Sequence, residues 1–200
     1  PEATGDGLRL AEAVGASVQE DLAQPAAYCP VSRLRWPDGA EGVFPHIIDR
    51  GKPGLIAVLA DGRRFCNEGL GYHDYVTALL AAVPEGEPAR SWLICDHRFL
   101  RRFGLGIVRP APVPVGYWLK SGYLKRGDSI EALAHACGID APGLAATVAR
   151  WNTGAARGGA KVWRRGASVC GCPATGLRWT ERGYQWWGGW RSACRWLRLV

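Results

Sequence analysis

An α+β fold is predicted by three features of the sequence. Two short apolar runs, Leu55-Ile56-Ala57-Val58-Leu59-Ala60 and Trp92-Leu93-Ile94-Cys95-Asp96, have the length and composition of buried strands. Helical stretches opened by Asp or closed by Gly lie around them. The two kinds of element do not alternate regularly, as a βαβ array would require. With 200 residues, 48% hydrophobic and 22% charged, the chain can bury one ordinary core or parts of two.

From the N-terminus, Gly5-Asp6-Gly7 is a turn that feeds a helix with Leu10, Ala11 and Val14 on one face, closed by Gly15. Residues 24–54 are rich in Pro and Gly and read mostly as loop. After the first buried strand, Asp61-Gly62 forms a hairpin-type turn and Arg63-Arg64-Phe65-Cys66 continues extended. A helix is predicted over 73–83. The second strand leads into a basic helix over roughly 97–103 that stops at Gly104. Residues 109–115 carry three prolines and stay extended or looped. Asp128 with Glu131 has the form of a capping box for a helix lined by Ile130, Leu133, Ala134 and Cys137, which ends at Gly138. Asp140 caps a last helix carrying Leu144, Val148 and Trp151.

Residues 161–200 differ from everything before them. They hold eight Lys/Arg against the single acid Glu181, and six of the ten Trp. The net charge of +7 therefore belongs to this tail, since residues 1–160 contain 17 basic and 17 acidic residues. No helix period, alternation or cap is evident there, and no element is predicted.

No apolar run approaches the roughly 20 residues of a membrane span, and no signal peptide is recognisable. The chain has no Met, so a beginning other than a natural start is expected. Its seven cysteines are odd in number and irregular in spacing, which argues against a disulfide framework and for a reducing cytoplasm. Cys170-x-Cys172 with Cys194 lacks a second ligand pair and a nearby His, so no metal site is expected.

Three clusters have functional chemistry. Thr4-Gly5-Asp6-Gly7, a glycine turn at a helix N-terminus, presents free backbone N–H groups suited to phosphate, although an ordinary capped helix looks the same. Residues 61–68, followed by Tyr72-His73-Asp74-Tyr75, gather titratable groups beside a buried strand, as proton transfer requires; a solvated surface turn is the alternative. Around Phe44-Pro45-His46 and Asp49-Arg50, His46 is placed to orient or protonate a substrate and Arg50 to bind a carboxylate or carbonyl, against the plainer reading of a structural loop His. His97 and His135 have no partner spacing and are assigned no role.

The order of these motifs resembles that of the FAD-dependent oxidoreductases that include fumarate reductase/succinate dehydrogenase flavoproteins and 3-ketosteroid 1-dehydrogenases. The resemblance runs from Ala3-Thr4-Gly5-Asp6-Gly7-Leu8-Arg9-Leu10 through Asp49-Arg50-Gly51-Lys52-Pro53-Gly54 and Gly62-Arg63-Arg64-Phe65-Cys66-Asn67-Glu68 to Asn152, covering about residues 1–158. It implies that residues 1–24 return the chain to an FAD-binding α/β domain and that 25–158 form the substrate, or capping, domain. Residues 159–200 are left as an atypical tail that reads as out-of-frame translation.

In that family the residue five past the motif Asn transfers the proton. It is Arg in fumarate reductases and Tyr in ketosteroid dehydrogenases; here it is Tyr72. The resemblance thus implies FAD as cofactor, oxidation or reduction of a C–C bond beside a carbonyl, and a steroid-like enone as the small-molecule substrate. It makes Tyr72 the catalytic residue, and Thr4, Gly5, Asp6, Gly7 and Glu68 cofactor contacts. The family's Gly-rich dinucleotide fingerprint and C-terminal FAD segment are not found in this sequence. An inactive fragment is therefore expected. The alternative is a nucleic-acid or anionic-surface binder acting through the Arg/Trp tail.

Overall fold

The computed structural model describes residues 4–22, 26–156 and 196–199. The first helix, α1 (Asp6–Ala13), starts at Gly5, whose φ of 81° lies in the left-handed region, and closes at Gly15, whose N–H donates to the Glu12 carbonyl. No residue of α1 is buried, and Leu10 and Val14 are 72% and 85% exposed. The apolar stripe read in the sequence exists but has no partner among the described residues.

The stretch expected to be loop contains an antiparallel hairpin, β1 (Val31–Arg35) and β2 (Glu41–Pro45), joined by a turn at Trp36–Ala40. This corrects the sequence reading. Exposure along β1 alternates, but the two buried positions are Ser32 and Leu34 while Val31 lies outside, so the polarity pattern that normally marks a strand is scrambled.

The central sheet holds β3 (Leu55–Val58), β4 (Trp92–Asp96), β5 (Leu124–Gly127) and β6 (Trp196–Leu199) in the order β3-β4-β6-β5, with every neighbour antiparallel. β3 is buried along its whole length because both faces are covered. Leu55, Ala57, Leu93 and Cys95 pack towards Tyr75 of α2 (Tyr72–Ala82), Phe99 and Leu100 of α3 (His97–Phe103), and Leu105, Val108 and Tyr123. Ile56, Val58, Trp92 and Ile94 pack on the other side, against α5 (Ile130–Cys137) and α6 (Ala141–Ala156). A short helix, α4 (Gly116–Lys120), precedes β5.

Local chemistry explains the helix ends. The Asp96 carboxylate accepts from the Phe99 N–H to open α3, and Gly104, at φ 72°, ends it. α5 is capped by the Ser129 hydroxyl, which accepts from the Ala132 N–H, one residue later than the Asp128 box predicted. Asp140 caps α6 as expected, through the Gly143 N–H at 2.8 Å. There the backbone is tightly apposed. A Cβ on Gly62 would lie 2.2 Å from Leu144 N, and one on Gly143 would lie 2.0 Å from Asp61 O. The Asp140 N–H donates to Ala60 O, which ties the start of α6 to the end of β3.

β6 is an element the sequence did not suggest; the rest of the tail, including Cys170, Cys172 and Cys194, lies outside the described residues. Among the described residues no helix is long and apolar enough to cross a membrane, and no group of three or more His, Cys, Asp or Glu is placed to hold a metal ion.

Candidate functional site

The turn after β3 brings Arg64 back beside that strand, where the two residues Val58 and Arg64 form an isolated bridge. Arg64 Nε donates to Glu68 Oε1 at 2.7 Å, and Arg64 Nη2 meets Glu68 Oε2, so the pair is bidentate. Glu68 Oε1 also accepts from the Ala57 N–H at 2.9 Å. Both side chains are buried, and the Arg64 guanidinium sits 4.6 Å from the Trp151 ring centroid. The Glu68 carboxylate is thus committed to Arg64 and to the backbone of β3.

Arg50 is 1% exposed. Its Nε donates to His46 O at 3.0 Å, Nη1 to Glu68 O at 3.2 Å and Nη2 to Leu70 O at 3.4 Å. Its guanidinium lies 4.3 Å from the Tyr75 ring centroid. Burial pushes the Tyr75 phenol well above its ordinary value, against the opposing hydrogen bond with Ser91 at 2.8 Å. Burial, helped by the Glu68 charge, pushes the Cys66 thiol up to about 12 despite Arg50 and Arg64 nearby.

His46 belongs to a buried chain of hydrogen bonds. Its Nδ1 donates to Asp49 Oδ2 at 2.6 Å, and its Nε2 is 2.8 Å from Ser32 Oγ. Ser32 Oγ is in turn 2.7 Å from the Tyr123 hydroxyl. Asp49 Oδ2 also accepts from the Gly106 N–H at 3.0 Å. Burial raises the Asp49 carboxyl, but the hydrogen bond and charge of His46, with backbone N–H donors, outweigh it and hold the group below its ordinary value. The Tyr123 phenol is raised, chiefly by burial. The order Asp–His–Ser matches that of a hydrolase triad, but Ser32 is 1% exposed and bonded to Tyr123, which closes it to any substrate. A cavity of about 30 Å³ beside His46, Arg50, Tyr75 and Ser91 has room for little more than a water.

Tyr72 is different. It is the first residue of α2, directly after Gly71, and is 40% exposed. Next to it in sequence, His73 stacks on Tyr28 at 5.4 Å and accepts from the Tyr28 N–H. Ile47 and Ile48, on the turn gripped by Arg50, are exposed by 51% and 78%.

Of the residues singled out in the sequence, His46, Arg50 and Glu68 are buried and brought together: Arg50 donates to the carbonyls of His46 and Glu68, and to that of Leu70, two residues before Tyr72. Thr4, Gly5, Asp6 and Gly7 are not joined to them: the Thr4–Asp6 hydrogen bond and the Asp6–Arg9 ion pair are local, and all four residues are exposed where the turn opens α1. Ser32, Asp49, Arg64, Tyr75 and Tyr123 complete the region but were not among the site residues read from the sequence. Asp49, Arg64 and Tyr75 lay inside the clusters read as functional, whereas Ser32 lay in a stretch taken for loop, and no local signal pointed to it.

Among the described residues, the fit for FAD lies at residues 4–7; the Glu68 carboxylate, expected as a cofactor contact, is buried and bonded to Arg64 and the Ala57 N–H. A Cβ on Gly5 or Gly7 would meet nothing within 4 Å, and the first N–H groups of α1 lack intrahelical acceptors, so this edge can receive a polar ligand. The described residues fit one contact with a dinucleotide there and do not by themselves enclose it.

Comparison with known proteins gives a consistent picture. A profile described as FAD binding domain matches residues 1–169. The 4-oxocyclohex-2-ene-1-carboxylate 5-dehydrogenase of Sinomonas cyclohexanicum is 37% identical over 164 residues, which is 82% of this chain and 28% of that protein. A 3-oxosteroid 1-dehydrogenase of Mycobacterium tuberculosis is 32% identical over 171 residues, covering 83% of this chain and 29% of its own length. The chain therefore spans under a third of these relatives. Among solved structures, a 3-ketosteroid delta1-dehydrogenase from Sterolibacterium denitrificans, in complex with 1,4-androstadiene-3,17-dione, covers all of this chain and 35% of its own at a TM-score of 0.66 and 26% identity. A flavocytochrome c3 fumarate reductase, at 21% identity and a TM-score of 0.52, shares the fold.

Proposed function

The chain belongs to the FAD binding domain family, and from that membership we propose that it supplies the substrate-side segment of an FAD-dependent dehydrogenase acting on a CH–CH bond beside a ketone. In this reading residues 25–158 form the capping domain, and 1–24 lead to the FAD-binding domain. The observation that carries it is Tyr72: a half-exposed phenol at the start of a helix, reached by a loop whose Glu68 and Leu70 carbonyls accept from buried Arg50.

FAD, when bound, supplies the hydride acceptor or donor. Among the described residues, Thr4, Gly5, Asp6 and Gly7 would hold it. In reduction the Tyr72 phenol gives its proton to the carbon next to the carbonyl; in dehydrogenation its phenolate takes the proton from that carbon and becomes the neutral phenol. His46, Arg50 and Glu68 act from the buried floor under Tyr72, without touching substrate or flavin. Exposed Ile47 and Ile48, on the turn that Arg50 joins to the loop before Tyr72, suit an uncharged cyclic ketone of steroid-like or cyclohexenone type. The free thiols Cys29, Cys66 and Cys95 accord with a cytoplasmic location. Because residues 4–7 are the one edge of a dinucleotide site among the described residues, the purified 200-residue chain should be colourless and without turnover.

A graft tests the role of Tyr72. Residues 25–158 replace the matching segment of the Sinomonas enzyme, and dehydrogenation is followed with an artificial electron acceptor. Tyr72→Phe should lower kcat by at least about 100-fold with flavin content unchanged. Full activity in the Phe variant would overturn the assignment. The alternative, an anionic-surface binder acting through residues 159–200, rests on residues outside the described set. Salt-dependent oligonucleotide binding that vanishes on deleting 161–200 would favour it.

A further inference from the structure

We propose that Arg50 is a positioning residue for Tyr72, a role that rests on Tyr72 being the proton-transfer group. A buried guanidinium is normally neutralised by a carboxylate. Here the nearby carboxylates are spoken for: Glu68 binds Arg64, and Asp49 binds His46 and the Gly106 N–H. Among the described residues Arg50 has no ion pair. Its charge is spread over the carbonyl oxygens of His46, Glu68 and Leu70 and the face of Tyr75.

That set of partners has a geometric meaning. His46 O belongs to the turn that carries Arg50 itself. Glu68 O and Leu70 O belong to the loop that ends at Tyr72, two residues apart, which suits the two terminal nitrogens of a planar fork. The loops are also in close contact, since a Cβ on Gly51 would lie 3.6 Å from Gly69 Cα. Tyr75 is one helical turn beyond Tyr72. The guanidinium therefore grips the chain just before Tyr72, at Leu70, and just after it, at Tyr75. Between these points the Gly71 carbonyl accepts from the Tyr75 N–H and sets the start of α2. A direct role on substrate does not suit Arg50, which is 1% exposed and borders a cavity of about 30 Å³.

The test uses the full chain as wild type, Arg50→Met and Arg50→Lys, with 3-fluorotyrosine incorporated and the Tyr72 resonance identified by its loss in Tyr72→Phe. Arg50→Met should shift that resonance and raise hydrogen exchange at the Gly69 and Leu70 amides by at least about tenfold, with β3 and β4 amides within about twofold of wild type. Arg50→Lys, which keeps the charge but not the fork, should move both readouts the same way and less far. An unmoved Tyr72 resonance, unchanged loop exchange, or loosening spread equally through the sheet would overturn the proposal. If Arg50→Met fails to fold, Arg50→Lys decides by the same criteria; if both fail, Arg50 is a general fold residue and the proposal falls. A fully active Tyr72→Phe graft would overturn the functional reading and leave these measurements standing.

Discussion

Asp49 offers the sharpest test of the buried network. Its Oδ2 accepts from His46 at 2.6 Å and from the Gly106 N–H at 3.0 Å, and its side chain is 9% exposed. Its Oδ1 is buried with no hydrogen-bond partner among the described residues. Asp49→Ala leaves His46 Nδ1 and the Gly106 N–H both unsatisfied, and removing one member of such a buried pair costs about 3–5 kcal/mol. Asp49→Asn can place its amide oxygen where Oδ2 now lies and keep both bonds, but it loses the charge and buries an unpaired NH₂, a cost of about 2–3 kcal/mol.

Urea unfolding at neutral pH reads both values from the midpoint, provided the slope is unchanged. The sign of the pH dependence follows from the lowered carboxyl value. A carboxylate held below its unfolded value stabilises the fold fully above about pH 4, and that contribution drains away as pH falls through the folded value. The gap between wild type and Asp49→Asn should therefore narrow below about pH 4. An Asp49→Ala variant within about 1 kcal/mol of wild type, or a gap that stays constant down to about pH 3, would refute the reasoning.

Two further outcomes follow from the packing. Gly62→Ala and Gly143→Ala should each cost more than about 2 kcal/mol in urea unfolding, because their Cβ atoms would meet backbone at 2.2 and 2.0 Å. Gly138→Ala should cost only about 1 kcal/mol: its φ of 67° is unfavourable for Ala, but the space around it is open. In alkylation of the native protein followed by peptide mapping, Cys29 should react well before Cys66 and Cys95, whose thiols are buried and raised; equal labelling would contradict the structure.

Elements bounded by their own chemistry were legible in the sequence. The paired runs of β3 and β4, the Gly104 and Gly138 stops and the Asp140 cap all act over a few residues, and each was read in place. The β1–β2 hairpin was not, because its inward positions include the polar Ser32 while Val31 and Val43 face out. β6 gains its place from strands some 70 and 100 residues earlier in the chain, a relation no local window contains. The candidate site divides the same way. Tyr72 could be named from a motif at fixed spacing, whereas the Ser32–Tyr123 bond joins residues 91 apart in sequence. Arg50 and His46 were noticed for their chemistry, but both are buried, and burial is a property of the assembled fold.

The apposition of Gly62 and Gly143 has a consequence at a distance. It acts as a pivot with no side chain to cushion it, and α6 is the lever arm that leaves it. Eight residues along, at about 1.5 Å per residue, Trp151 lies about 12 Å from the pivot. A tilt of roughly 10° there would swing the indole by about 2 Å, nearly half its 4.6 Å separation from the Arg64 guanidinium. Arg64 holds Glu68, and Glu68 holds the strand and loop behind Tyr72. Two residues without side chains are thus linked, through Trp151, Arg64 and Glu68, to the loop that precedes Tyr72.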